Sequence, residues 1–386
     1  MSDSKMIWKD EPHNRLTHKD FEIFLMWCFH VGASDIFIAT SERLAIMYND
    51  KIIEVGKRYI NTHEIEAILN EIDQPASFSI IKSGVPRDFQ FTVQPDEDPD
   101  SAARFRISAT GEKSGVEVVI RTIPAIPPSC EDLNVEREIV KASKAEFGLV
   151  LITGPTGSGK STLNAALLGD IAINEAKHII TYESPIEFDL KAIKNRKARI
   201  AQTAIPDHLA NFPTAVSNAL RRKPHIILIG EARDKETIAG CITASQTGHL
   251  VYSTVHTNSV GMTISRMVDE FPPDERKATS AKLVDAMRLI VHQRLIHKKG
   301  GGRCAIKEYL VFTDDIRRFL LEKLADSKVV DIGTYVTALV KKYGQPLLDD
   351  LDIKFEAGLI EESTYKELFA ELGSGDEIID IVIGEN

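Results

Sequence analysis

The chain has 386 residues, which is enough for two or three domains with hydrophobic cores of their own. Hydrophobic residues make up 43% and charged residues 27% of the chain, as in ordinary soluble proteins, and the longest apolar stretches fall far short of the roughly 20 residues of a membrane span. A formal net charge of −10 argues against nucleic acid as a partner, because phosphate binding needs an excess of lysine and arginine.

None of the four cysteines lies in a CxxC pair, so the sequence predicts neither a zinc site nor a disulfide framework. The polar N-terminus MSDSKMIWKDEPHNR contains no apolar signal-peptide core. We therefore expect a cytoplasmic protein without a membrane span, one that is free to dock peripherally at the inner membrane.

Residues 1–122 predict a first, α+β domain. A helix is expected from Thr17, an N-cap with Asp20 at the third helical position, and a second helix over 61–72. Strands are expected over 35–39, 43–48, 77–81, 88–93, 104–108 and 117–121. The acidic, proline-bearing stretch QPDEDPDSA reads as a solvated insertion.

A proline-rich connector over 123–134 (TIPAIPPSCED and its flanks) marks the domain boundary. Beyond it, residues 135–312 alternate buried strands with helices, which predicts an α/β domain with a mostly parallel sheet. Strands are expected over 148–153, 178–182, 225–229 and 249–254. Residues 313–386 predict a helical region that ends in an acidic tail.

The segment GLVLITGPTGSGKST carries the most specific signal in the chain. It fits the phosphate-loop pattern G-x-x-x-x-G-K-[ST] between a buried strand and a helix. Glycines let backbone N–H groups point at a β-phosphate, and the start of the helix adds its dipole. Lys160 supplies charge for the β and γ oxygens, and the Ser161 hydroxyl can reach Mg²⁺. The sequence therefore predicts that ATP and Mg²⁺ are bound here.

Two later strands end in carboxylates. HIITYESPIEF leads into Glu183, which is either an orienting group for water and the metal shell or a solvated charge at a strand end. HIILIGEARD ends at Glu231, a candidate general base that positions the attacking water. Many ATPases have an aspartate directly before this glutamate, whereas here the residue is Gly230.

The strand in TGHLVYSTVHTNS begins at His249 and ends at His256. A single histidine is more often structural than catalytic, but two at the ends of a strand beside a phosphate loop raise the case for function. His256, at the carboxyl end, is the better candidate for sensing the γ-phosphate. Arginines that stabilise the transition state are also expected, although Arg104, Arg106 and Arg121 can equally be surface charges.

Together these stretches resemble the type II/IV secretion ATPase family, and within it the PilT-like branch. The matches are GPTGSGKST to its Walker A box, TYESPIEF to its acidic box, ILIGEARDKETI to its Walker B strand with glycine before glutamate, and TGHLVYSTVHTNS to its histidine box. GASDIFI, RFR and IRTIP match as well, so the resemblance covers about residues 30–320. Two departures are Ser184, where the family usually has aspartate, and MYNDKII, where relatives usually show an arginine and a glycine.

The resemblance implies a hexamer with a PAS-like N-terminal domain and a RecA-like ATPase domain. It implies nucleotide contacts at Gly154, Pro155, Thr156, Gly157, Ser158, Gly159, Lys160, Ser161, Thr162 and His249. It assigns catalytic roles to Glu231, Glu183 and His256. It also suggests that Arg104, Arg106 and Arg121 reach the phosphates when the domains close.

The leading hypothesis is a homohexameric motor ATPase that works with inner-membrane components and coupling proteins of a type IVB, Dot/Icm-like secretion system. Pilus retraction or assembly is the first alternative, with the same chemistry and another client. An ATP-gated adaptor with little turnover is the second, although intact Lys160, Ser161 and Glu231 argue against it. A nucleic-acid translocase is disfavoured by the acidic charge.

Overall fold

The computed structural model describes residues 7–49, 51–94, 102–123, 126–326 and 331–372. Contacts divide the chain into two compact units, Met1–Ala125 and Ile126–Asn386. The predicted acidic tail and most of the acidic insertion lie outside the described residues. In the part of the chain that the structure describes, no helix is long and apolar enough to cross a membrane.

The N-terminal unit combines helices with one antiparallel sheet. Its helices are α1 (His18–Val31), α2 (Thr62–Ile72) and α3 (Ser77–Lys82). Its strands are β1 (Asp35–Ala39), β2 (Arg43–Tyr48), β3 (Lys51–Tyr59), β4 (Arg87–Val93), β5 (Ala103–Glu112) and β6 (Gly115–Ile123). The strand order is β3-β2-β1-β6-β5-β4, the PAS-like arrangement that the resemblance implied.

Side chains at the helix starts explain where α1 and α2 begin. Thr17 and Asp20 form a reciprocal capping box at α1, as predicted, and Asn61 and Glu64 form another at α2. The prediction of a strand over 77–81 was wrong. Ser77, Phe78 and Ile81 are buried, a spacing that suits one face of a helix, so this short apolar run forms α3.

The second unit is built around a seven-stranded sheet. Its strands are β7 (Gly148–Thr153), β8 (His178–Glu183), β9 (Arg199–Ala204), β10 (Ile226–Ile229), β11 (Leu250–Val255), β12 (Met287–His297) and β13 (Arg303–Val311). The order is β13-β12-β7-β11-β10-β8-β9, and all neighbouring pairs are parallel except β12 with β13. The predicted mostly parallel sheet is therefore confirmed.

Helices cover both faces of this sheet. They are α4 (Arg137–Ala142), α5 (Lys160–Asn174), α6 (Phe212–Ala219), α7 (Lys235–Gln246), α8 (Gly261–Val268) and α9 (Pro273–Ala286). Side chains of β7 alternate between two cores: Leu149 and Leu151 pack with α6 to α9, whereas Val150 and Ile152 pack with α5. Burial on both faces explains why the strands read as continuous apolar runs.

The C-terminal region is helical, as predicted. Its helices are α10 (Asp314–Ala325), α11 (Gly333–Tyr343), α12 (Leu347–Glu356) and α13 (Glu362–Leu372). Side chains of α10 and α11 join the core of the α6 to α9 face. Helices α12 and α13 form a separate cluster with Ile296 of β12 and Ile306 of β13. Helices α10 and α11 therefore share the main core of the second unit, whereas α12 and α13 pack in a core of their own against β12 and β13.

Candidate functional site

The phosphate loop joins the carboxyl end of β7 to the start of α5. Gly154, Gly157 and Gly159 have positive φ angles of 142°, 76° and 82°. A Cβ atom on Gly154 would lie 2.3 Å from the backbone oxygen of Gln293, so that position excludes any side chain. Since α5 begins at Lys160, the curled loop ends at a helix N-terminus, a geometry suited to binding phosphate.

Lys160 is buried and held inside the loop. Its Nζ atom donates hydrogen bonds to the carbonyl oxygens of Gly154 (2.9 Å) and Pro155 (2.8 Å). Burial lowers the pKa of the lysine, and the negative charges of Glu231 and Glu187 act in the opposite direction. The ammonium group is therefore held at the loop, and the negative charges of nearby carboxylates act on it.

The next two predicted residues, Ser161 and Thr162, lie in the first turn of α5 and are half-buried. Ser161 is the second residue of α5 and directly follows Lys160, so its hydroxyl lies on the first turn next to the loop. Hard oxygen donors of this kind suit Mg²⁺, which binds few protein ligands and keeps several waters.

Glu231 follows the carboxyl end of β10, two positions across the sheet from β7. Its backbone turn is fixed on β11, because the hydroxyl of Thr254 donates to the carbonyl of Gly230 (2.6 Å) and the N–H of Ala232 donates to the carbonyl of Thr254 (3.0 Å). The carboxylate is 31% exposed, so it can meet a water molecule. A rigid turn that carries an accessible carboxylate suits a general base.

The structure shows why residue 230 is a glycine, which the sequence did not reveal. A Cβ atom there would lie 3.1 Å from the carbonyl oxygen of Tyr182 and 3.4 Å from the Cα atom of Glu183. The N–H of Gly230 also donates to that Tyr182 carbonyl (2.8 Å). Because β10 ends so close to the backbone of β8, any side chain at position 230 would press on the neighbouring strand.

His256 follows β11, and its Nε2 atom lies 3.8 Å from Oε1 of Glu231. This separation is longer than a hydrogen bond, and it becomes an ion pair only when the imidazole is protonated. The structure thus brings together Lys160, Glu231 and His256 at the carboxyl edge of three neighbouring strands, β7, β11 and β10.

Glu183 ends β8 at the same edge of the sheet. Its Oε1 atom accepts hydrogen bonds from the Thr181 hydroxyl (2.6 Å) and from Nε2 of Gln202 (3.1 Å). Burial raises the pKa of this carboxyl group, and the two donors partly offset that effect. The orientation of Glu183 is therefore fixed by partners on β8 and β9.

His249 does not join this group within the unit. It precedes β11, where its carbonyl accepts the N–H of Gly148 at the start of β7 (3.1 Å). Its Nδ1 atom contacts the carbonyl of Ala244 (3.1 Å) and the hydroxyl of Thr247 (3.3 Å). The parallel strands between it and the phosphate loop span roughly 17 Å, so in this unit His249 lies at the opposite edge of the sheet.

Arg104, Arg106 and Arg121 belong to the N-terminal unit. Arg106 on β5 lies directly opposite Arg121 on β6, and Arg104 shares the face of Arg106, as predicted from alternation. Nη2 of Arg104 donates to Oε1 of Gln90 (2.9 Å), and Nε of Arg121 lies 3.0 Å from Oδ1 of Asp35. Like charges directly opposite each other weaken a sheet, and here the carboxylate of Asp35 offsets the charge of Arg121.

Sequence reasoning missed two polar residues on β12, His292 and Gln293. Both are buried, with 1% and 4% of their surface exposed. Nδ1 of His292 contacts the hydroxyl of Thr153 (3.4 Å), and Nε2 of Gln293 donates to the carbonyl of Ser158 (2.6 Å). The only signal in the sequence was a pair of polar letters inside the apolar run MRLIVHQRLIH.

Comparisons with known proteins identify the family of this chain. The model of the family "Type II/IV secretion system protein" matches residues 13–309. The type IV pilus retraction ATPase PilT of Pseudomonas aeruginosa is 35% identical over 291 residues, 75% of this chain and 82% of that protein.

Solved structures extend the likeness beyond the ATPase core. The crystal structure of the Legionella pneumophila ATPase DotB superimposes with a TM-score of 0.84 at 35% identity, and the match covers 95% of this chain and all of that one (100%). A structure of the pilus retraction motor PilT with bound ADP superimposes with a TM-score of 0.77 at 28% identity, covering 90% of this chain and 96% of that one. The chain therefore belongs to the type II/IV secretion ATPase family, in its PilT-like branch, and it is an ATPase.

Proposed function

We propose that this chain is the motor ATPase of a type IVB, Dot/Icm-like secretion system, and that it works as a homohexamer at the cytoplasmic face of the inner membrane. The observation that carries this proposal is the likeness to DotB over 95% of this chain and 100% of the DotB chain. That match includes both units and the C-terminal helices rather than the P-loop core alone.

In this proposal ATP binds with its β- and γ-phosphates in the loop of residues 154–159. The backbone N–H groups and Lys160 hold the phosphates in both ground state and transition state, and Glu231 accepts a proton from the attacking water. His256, 3.8 Å from Glu231, contacts the same region and responds to the γ-phosphate. Glu183 stays fixed by Thr181 and Gln202 and orders water in the outer shell.

Ser161 is the residue that would hold Mg²⁺, with Glu231 and Glu183 around it through water. These oxygen donors fit a hard cation that keeps most of its water shell. When bound, Mg²⁺ neutralises part of the negative charge that the phosphates carry. Gly230 offers no side chain to the metal, which leaves the carboxylates of this site in the outer shell.

The proposed mechanism also includes three arginines whose positive charges act in the transition state: Arg104, Arg106 and Arg121. Two of them, Arg106 and Arg121, lie opposite each other across β5 and β6, and Arg121 is also paired with Asp35, so this role rests on the match of the RFR and IRTIP segments to the family. The partners we propose are further copies of this chain, inner-membrane components of the secretion complex and coupling proteins.

Pilus retraction is the second candidate, and the 35% identity with PilT favours it. Both candidates use the same ATP chemistry, so the client must be identified in the cell. A Glu231→Gln variant that holds ATP should be purified with its bound membrane proteins, next to the wild type and a Lys160→Ala variant that binds no ATP. Capture of secretion-complex proteins that depends on bound ATP supports the proposal, whereas capture of a pilus platform protein overturns it in favour of retraction.

A further inference from the structure

Strand β12 passes directly behind the phosphate loop. It pairs in parallel with β7 up to His292 opposite Thr153, the last residue before the loop begins. Gln293 is therefore the first residue of β12 beyond that pairing, at the point where β7 turns into the loop. Its side chain is 4% exposed, and no role in the ATPase reaction follows from the sequence motifs.

Gln293 contacts the loop at both of its ends. Its backbone oxygen packs against Gly154, where a Cβ atom would come within 2.3 Å. Its carboxamide Nε2 donates to the carbonyl oxygen of Ser158 at 2.6 Å and lies 2.8 Å from where a Cβ atom of Gly159 would stand. The loop is thus held from behind at its first glycine and at the peptide unit before its last glycine.

The hydrogen bond to Ser158 has a consequence for the phosphate side of the loop. In a planar trans peptide the C=O and N–H groups point in opposite directions. Because the carbonyl of Ser158 points back at Gln293, the N–H of Gly159 points away from β12, toward the side of the loop that receives the phosphates. We propose that Gln293 is a positioning residue for nucleotide binding, one that fixes the peptide of Ser158 and Gly159 so that this N–H donates to a nucleotide phosphate.

This inference rests on the loop being the ATP site and adds a residue outside every motif. An N–H that contacts a phosphate acts equally in the ground state and the transition state, so its misplacement should weaken binding and leave the chemical step almost unchanged. ATP and ADP should be affected alike, because both carry the phosphates nearest the loop.

The test is a Gln293→Met variant of the full chain, which keeps length and burial but removes the donor. The backbone oxygen against Gly154 remains, so only the carboxamide is tested. We expect the KM for ATP and the dissociation constant for ADP to rise together by about tenfold, with kcat within about threefold of wild type. A folded variant whose KM stays within about twofold overturns the inference.

A matched control is Gln345→Met. Its Nε2 atom donates to a backbone carbonyl of the neighbouring strand β13, that of Lys307 (3.3 Å). If the effect of Gln293 is merely structural, both variants lower the melting temperature and neither changes the ratio of KM to kcat. Lys160→Ala, measured in parallel, separates failure of this inference from failure of the ATP site itself.

If the Gln293→Met variant does not fold, a Gln293→Glu variant tests the hydrogen bond instead. It keeps the shape of glutamine, but its carboxylate cannot donate to the Ser158 carbonyl, whereas its protonated form can. At pH 8 the carboxyl group is ionised, so we expect the KM for ATP to exceed that of wild type by about tenfold or more. A folded variant whose KM at pH 8 stays within about twofold of wild type contradicts the proposed hydrogen bond.

Discussion

In the proposed mechanism, three side chains at the carboxyl edge of the sheet carry the chemistry of the site. Lys160 is buried in the loop, Glu231 is accessible at the end of β10, and His256 stands beside it. Each comes from a different strand connection, so the parallel sheet brings them together at one edge, where ligands of such folds bind. Gly230 belongs to this arrangement because β8 leaves no room for a side chain there.

Lys160→Ala should abolish useful ATP binding. The change removes the ammonium group that the carbonyls of Gly154 and Pro155 hold at the loop, and a hydrogen bond that involves a charged group is worth about 1.5–3 kcal/mol. We expect nucleotide affinity to fall by about a hundredfold or more in equilibrium binding with a fluorescent ATP analogue. Lys282→Ala, an exposed lysine on α9, is the control, and near-wild-type affinity of the Lys160 variant would refute the loop assignment.

The sequence predicted these residues because each belongs to a local pattern. A phosphate loop needs its glycines, lysine and hydroxyl within nine positions. The strand that ends in Glu231 is likewise recognisable from one short run of residues. Gln293 has no such pattern, since it reaches the loop from a strand more than 130 residues later and only tertiary pairing shows the contact. The partners of Glu183 were missed for a related reason, because Gln202 lies on the separate strand β9.

At the scale of elements, four strands were not predicted: β3, β9, β12 and β13. Strands β3 and β9 lie in polar or mixed runs, β12 is an apolar run whose periodicity alone does not exclude a helix, and β13 follows a glycine-rich turn. The central strands of the sheet were predicted to within one residue at each end, because burial on both faces leaves an unbroken apolar run. What was missed is therefore mainly at the edges of sheets.

A carboxyl group that is buried where β13 contacts the start of α8 makes the stability of the protein depend on pH. Glu308 is 8% exposed, and its Oε2 atom accepts the N–H of Val260 at the start of α8 (2.9 Å). Burial raises the pKa of Glu308 to about 7. The folded protein thus binds a proton at this site that the unfolded chain releases, so this contribution to stability is present at low pH and is lost as pH rises toward and through 7.

Glu308→Gln should therefore remove that dependence. The amide can still accept from Val260 and carries no charge, so we expect the variant to be more stable than wild type at pH 8, by on the order of 2 kcal/mol, and no more stable at pH 4, below the ordinary pKa of a glutamate. Thermal unfolding at the two pH values measures the difference. Glu322→Gln, at an exposed position on α10, should show no such pH-dependent gain; the same gain in both variants would contradict the account.

At the scale of the whole molecule, we propose that arginines of the first unit take part in the ATP chemistry of the second unit. The two units are each compact, and the first presents Arg106 directly opposite Arg121 on its sheet. We propose that these arginines engage the phosphates in the transition state, so their contacts depend on the nucleotide. A motor needs such a step, because work requires different contacts before and after hydrolysis.

Replacing Arg104, Arg106 and Arg121 one at a time by alanine should lower turnover much more than ATP affinity. Arginines that engage a transferring phosphoryl group act mainly in the transition state, where their loss costs large factors in rate. We expect kcat to fall by about a hundredfold or more and KM to change by less than about threefold. Steady-state kinetics at matched assembly state, checked by light scattering, provides the measurement.

Arg43→Ala is the matched control for these variants, because Arg43 pairs with Glu54 (3.3 Å) in the same unit. Its turnover should equal that of the wild type. Should the three variants keep the wild-type kcat while remaining folded and assembled, their arginines are surface charges and the coupling of the two units must be sought elsewhere.

The measurement that tests the central claim most directly is ATP turnover by Glu231→Gln, with the bound nucleotide identified after purification. The amide keeps the size of the side chain but is a far poorer base, so the account predicts a fall in kcat of about a hundredfold or more, ATP affinity within about threefold of wild type, and bound nucleotide that is mainly ATP. Glu236→Gln on α7, an exposed position, should behave as wild type. Turnover by Glu231→Gln within about threefold of wild type would show that this carboxylate is not the base and would contradict the account.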